Sequence, residues 1–156
     1  MAEVLQCLKN QKGDILFFIF IIIFVIMTLS AMIIEYFRLE TMYQKVEYQL
    51  QRGVNTAVEY AILDEYRRDF DLKMDTVAVQ QELYDYFSQS MGLDRDLNKY
   101  ADSKFLYQLR IRNISVAESP PRLIIEGWIR TQSIFSFLSG EIRLPFTISS
   151  RSARID

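Results

Sequence analysis

Two hydrophobic patterns follow one another along this chain. From Ile15 to Ile34 every residue is apolar or weakly polar, and none is charged. At about 1.5 Å of rise per helical residue this block spans roughly 30 Å, the thickness of a bilayer hydrocarbon core. After it the apolar positions thin to a stripe in steps of three and four: Leu39, Met42/Tyr43, Val46, Leu50, Val54, Ala57/Val58 and Ala61/Ile62. That spacing marks one face of a helix. No proline or turn cluster separates block from stripe, so the expectation is a single helix from Asp14 to about Arg68, roughly 80 Å long. Its first half is lipid-soluble and its second half amphipathic.

The stripe passes through "RGVNTAVEYA", where Gly53, Ala57 and Ala61 make it shallow. Gly53 costs about 1 kcal/mol relative to alanine inside a helix. It is either a tolerated glycine with a slight bend or a place where another element approaches closely. A strict coiled coil would call for larger residues at these positions. Glu35 and Arg38, three apart, are expected to pair along the helix surface at the end of the apolar block.

Further on, "DFDLKMDT" breaks the helical pattern and offers Asp75 or Thr76 as the cap of a second helix, "VAVQQELYDYFSQSM", closed by Gly92. Val79, Leu83, Tyr86/Phe87 and Met91 would face inward. "GLDRDLNKYADSK" reads as a polar connection with one helical turn at most. The period then falls to two. Phe105, Tyr107, Leu109 and Ile111 alternate with polar residues, as do Leu123, Ile125 and Ile129, and then Ile142, Leu144, Phe146 and Ile148. Three half-buried strands follow, with a turn in "ESPPR" at Pro120 and Pro121. Pro145 implies that the last strand lies at a sheet edge or carries its proline on a side without a ladder bond. "SIFSFLSGE" suits a helical turn or a hairpin, and a hairpin or short strand is expected. Trp128 falls on the polar-alternating face, as a core aromatic at a bulge or as an exposed contact for a neighbouring subunit. The fold class expected is α+β: a long N-terminal helix packed on a small antiparallel sheet, with a second helix.

Composition narrows the chemistry. The chain has 156 residues, no histidine and one cysteine, Cys7, so an intrachain disulfide is impossible and the usual zinc, copper and haem ligands are largely missing. Eighteen basic against 20 acidic residues, with no basic run beyond Arg67-Arg68, leave no electrostatic footprint for nucleic acid. Asp94, Asp96 and Asn98 have the first spacing of a calcium loop, but Lys99 and Phe105 stand where it needs glycine and glutamate, so a solvated loop is expected. Asn113-Ile114-Ser115 matches a glycosylation sequon of low specificity. Glu59, Asp64, Glu65, Asp69 and Asp71 are interleaved with Arg67 and Arg68 and read as a charged helix end rather than a catalytic pair. With no phosphate-binding loop and no nucleophile beside a base, the chain is expected to be no enzyme and to need no cofactor or metal.

The apolar block is too long for a secretory signal and lacks small residues at a cleavage site, so it reads as an anchor. Lys9 and Lys12 before it, against a balanced set after it, favour a cytoplasmic amino terminus and an external carboxyl terminus.

A short leader ending in Lys12-Gly13, a helix that starts in the membrane and continues outside it, and a small distal sheet domain resemble a type IV pilin or pseudopilin. Within that group "IIEYFR" followed by "RGVNTAVEYA" resembles the TadE-like proteins of tight-adherence pilus systems, over about Lys12 to Ala61. The resemblance implies cutting by a prepilin peptidase between Gly13 and Asp14, and partners among pilin-like subunits, pilus assembly proteins and the lipid bilayer. The glutamate expected five residues into the mature helix is Phe18 here, and the proline common in such segments is missing. The alternative for Gly13-Asp14 is that Asp14 caps the helix. The division expected is a cytoplasmic leader, 1–13; a transmembrane segment, 14–35; an extracytoplasmic continuation of the helix, 36–68; and a small α+β domain, 69–156. The role expected is that of a structural minor pilin or pseudopilin in the inner membrane, single-pass, working in pilus assembly and cell adhesion. A permanent single-pass scaffold that binds partners through its external helix and domain is the second reading.

Overall fold

The computed structural model describes residues 2–61, 74–117, 122–135 and 140–150, with side chains from Ile15 onward. The chain is α+β. Helix α1 spans Ala2–Ala61, α2 spans Thr76–Gln89, and four strands follow: β1 Asn98–Ala101, β2 Lys104–Ala117, β3 Arg122–Gln132 and β4 Glu141–Ser149. Two compact units divide the chain at Glu40/Thr41.

Helix α1 begins earlier than expected. Residues 2–14 are helical, so Asp14 lies inside α1 and does not cap it. The physical reason is local: the first twelve residues contain no proline, and the roughly 1 kcal/mol cost of Gly13 does not stop a helix flanked by good helix formers. The expected end near Arg68 and the acidic residues Asp64 to Asp71 lie outside the described residues.

In the unit Thr41–Asp156 the stripe of α1 is the floor of the core. Val46, Leu50, Val54, Ala57, Val58 and Ala61 are buried, together with Val79, Leu83 and Phe87 of α2 and Leu109, Leu123, Ile125 and Ile129 of the sheet. Each large aliphatic or aromatic side chain so buried contributes about 1.5–3 kcal/mol. Helix α2 starts where Asp75 accepts hydrogen bonds from the Val77 and Ala78 amides at 2.8 and 3.3 Å. It ends with Gly92 in the left-handed region (φ 61°) and the Leu93 amide donating to the Phe87 carbonyl.

The sheet is an antiparallel meander in the order β1-β2-β3-β4. Strand β1 corrects the expectation of a polar connection: it pairs with β2 through a two-residue turn, Asp102 and Ser103, both at positive φ, as a twisted hairpin requires. A shift of register between Ile111 and Asn113 inserts Arg112 as an extra residue in β2. Beyond this bulge the inward positions change parity, and Ile114 and Val116 turn to the core. The β3–β4 ladder runs to Gln132↔Glu141, with the Ser133 amide donating to the Gly140 carbonyl, so the segment between them joins antiparallel neighbours. Residues 136–139 of that segment, and Pro120 and Pro121, lie outside the described residues. Pro145 does sit on an edge strand. Tyr43 Oη donates to its carbonyl at 3.2 Å and Gln51 Nε2 donates to the Ser149 carbonyl at 2.9 Å, so α1 covers part of the β4 edge.

Candidate functional site

Three surfaces carry what the sequence leaves for function. The first is the apolar part of α1. From Ile15 to Phe37 the large apolar side chains are solvent-facing, with Leu16, Phe20 and Met27 about 70% exposed (73, 68 and 67%). The helix is long and apolar enough to cross a membrane once, and it fits a single-pass membrane protein. Its two aliphatic hydroxyls are satisfied within the helix: Thr28 Oγ1 donates to the Phe24 carbonyl at 2.8 Å and Ser30 Oγ to the Ile26 carbonyl at 2.9 Å. In hydrocarbon those groups would otherwise lack partners. At the far end Arg38 holds Glu35 in a two-pronged bond, Nε to Oε2 at 2.9 Å and Nη2 to Oε1 at 3.0 Å. The carboxylate is nearly buried while Ile34, Tyr36 and Phe37 beside it are exposed. Pairing lowers the cost of holding these charges at the end of an apolar segment.

The second surface is the shallow stretch of α1. Gly53, Ala57 and Ala61 are all buried, and the Tyr86 ring of α2 lies directly on Gly53. Close approach of a second element is thus the geometry at this glycine.

The third surface was not singled out by sequence reasoning as a unit. On the sheet face opposite the core, the ladder sets Arg110 beside Trp128 and Trp128 beside Pro145, and in the next row Gln108 beside Arg130 and Arg130 beside Arg143. Trp128 is half-buried on this face and is no core residue. The bulge lies in the partner strand, and Gly127 rather than Trp128 takes the inward position beside it. A Cβ on Gly127 would stand 2.1 Å from the Arg110 carbonyl oxygen. Glu141 pairs with both Arg130, at 2.6 Å, and Arg143, at 3.3 Å. Arg110 Nε donates to the neutral Gln108 amide oxygen at 3.0 Å. An open groove of about 660 Å³ crosses the face between Asn98, Gln108, Arg110, Arg130 and Glu141. Alternation within each strand foreshadowed these side chains, but only the pairing of three strands shows that they adjoin.

The Asp94 loop uses its acidic group internally. The carboxylate accepts from the Asp96 and Asn98 amides at 2.9 and 2.7 Å and from Asn98 Nδ2 at 3.0 Å, which turns the chain from α2 into β1. These bonds, the Asn98 amide first, hold its pKa below the ordinary value. Among the described residues no group of three or more histidine, cysteine or acidic side chains converges as a metal site.

Comparison with protein-family models, with curated proteins and with solved structures finds no match.

Proposed function

We propose that this chain is a structural minor pilin or pseudopilin, held in the cytoplasmic membrane with its amino terminus inside and its α+β domain outside, and working in assembly of a type IV-like, tight-adherence pilus. One observation carries the reading: a single helix presents bare apolar side chains from Ile15 to Phe37, and from Val46 to Ala61 it forms the floor of a body built on a four-stranded meander. An apolar helix of this kind is stable in lipid and equally stable buried among identical or related helices in a filament, so it suits a subunit that passes from one surrounding to the other. The apolar block of α1 and its small-residue stripe are packing surfaces, which supports a structural role.

Intact mass of the membrane-extracted chain, with and without co-expressed prepilin peptidase, tests the proposal, together with the protein content of shed fibres. Loss of residues 1–13 and presence in fibres are expected. Retention of residues 1–13 in every form, with no chain in any fibre, would sink the pilin reading and favour the permanent single-pass scaffold.

A further inference from the structure

We infer that the outer sheet face around Trp128 is a docking surface for helix α2 of a second copy of this chain. The inference deepens the structural role proposed above and rests on it for its setting.

The face is an arginine cluster on a chain whose formal net charge is −2. Around Trp128 stand Arg110, Arg130 and Arg143, with Glu141 as the acidic partner of the last two and a neutral amide as the partner of the first. Further along β3, Arg122 and Glu126 balance each other on the same face. The centre of the face therefore carries surplus positive charge around a half-buried indole and the ring of Pro145. Tryptophan and arginine are the residue types that most often dominate binding energy when a partner covers them.

The complementary surface is on the same chain. Helix α2 contains no lysine or arginine, and it carries Glu82 and Asp85. Its core-facing side holds Val79, Leu83 and Phe87, whereas Val77 is 73% and Tyr84 48% exposed. A helix side with Val77, Tyr84 and Asp85 outward, and Glu82 further round the helix, thus matches a basic sheet face centred on an indole and a proline. Within one molecule α2 turns Val79, Leu83 and Phe87 into the core that the inner side of the sheet closes, so a helix laid across the outer face comes from another molecule. Charge complementarity of this kind sets register and excludes wrong partners more than it adds affinity.

The full chain in detergent micelles, carrying photoreactive benzoylphenylalanine in place of Trp128, tests the contact. Illumination at about 50 mM salt is expected to give a covalent dimer whose adduct maps to Thr76–Gln89 of the second copy. The yield should fall about threefold or more near 500 mM salt, as the charges are screened. The reciprocal label at Tyr84 should give a covalent dimer that maps to the outer face of β2–β4 in the second copy; an adduct within one chain, where Tyr84 lines a groove with Arg110, does not support the contact. Glu82→Lys with Asp85→Lys should abolish the adduct, and Arg110→Glu with Arg130→Glu in the same chain should restore it. Adducts to lipid, to another protein or to a different face of the second copy, or no adduct at all, would overturn the inference. If fibres contain the chain but this adduct is absent, the docking inference alone fails. If the adduct forms while residues 1–13 persist and fibres lack the chain, the pilin reading alone fails.

Discussion

The Tyr86 ring lies on Gly53 so closely that a Cβ at residue 53 would stand 2.6 Å from Cδ1 and 2.8 Å from Cε1. Glycine in the middle of α1 is therefore a steric requirement of α2. Gly53→Ala gains about 1 kcal/mol of helix propensity, but it must displace a ring wedged between two helices, at about 1–3 kcal/mol. A net loss of stability is expected in urea unfolding followed by fluorescence of the single tryptophan, Trp128. In a Tyr86→Ala background the same substitution should become neutral or stabilising. Equal cost in both backgrounds would show that the ring contact is not the cause.

Gly127 faces a harder neighbour. Its missing Cβ would meet the Arg110 carbonyl oxygen at 2.1 Å, and a backbone atom cannot swing aside as a side chain can. Gly127→Ala should cost about 3 kcal/mol or more, above the Gly53 change. It should also speed amide exchange along β2 near the Ile111/Asn113 bulge, where the ladder must part. Unchanged exchange there, with stability lost elsewhere, would contradict this account.

The sequence reading succeeded where one period ran long and failed where register decided. The three-and-four stripe from Val46 to Ala61 and the alternation in β3 name about half of the buried apolar residues, because each residue's face follows from its own spacing. Strand β1 escaped notice because four residues, "NKYA", are too few to show a period and owe their conformation to the Asp102-Ser103 turn. Ile114 and Val116 escaped because an inserted residue reversed their parity, which depends on the partner strand. Trp128's parity with Arg130 and Glu126 puts it on the outer face, which decides against a core aromatic at a bulge. The arginine cluster around it needed three strands in register, and that information is non-local.

Tyr107 gives a pH-dependent signature. Burial pushes its phenol up to about 12, from an ordinary value of 10.0, because the phenolate would lose hydration. The sign follows from linkage: a raised folded-state value leaves the unfolded chain to lose its proton first. Its contribution is fully present below about pH 10 and is lost between about 10 and 12. Tyr107→Phe removes the titrating group, so wild type should lose stability relative to this variant across that window and run parallel to it below. Parallel curves throughout would show that Tyr107 ionises as it does in the unfolded chain.

The apolar block of α1 makes the last prediction. Ile22 lies near its middle and is 45% exposed. An arginine at the centre of a spanning helix costs about 2.5–3.5 kcal/mol on insertion scales, whereas the same charge on an already polar helical face costs little. One such residue is outweighed by the other apolar residues of the block, but Ile19→Arg, Ile22→Arg and Ile26→Arg together should shift the chain from the carbonate-resistant membrane fraction to the soluble or aggregated one. Tyr48→Arg, at a site 71% exposed in the amphipathic half, should not. The body's unfolding curve, read at Trp128, should stay unchanged in both variants, because none of these side chains belongs to the buried core cluster. If the triple arginine variant stays membrane-bound like wild type, the apolar block is not what holds the chain in the bilayer. If the filament reading holds, the same arginines should also exclude the chain from fibres, since buried unpaired charges are as costly among packed helices as they are in lipid.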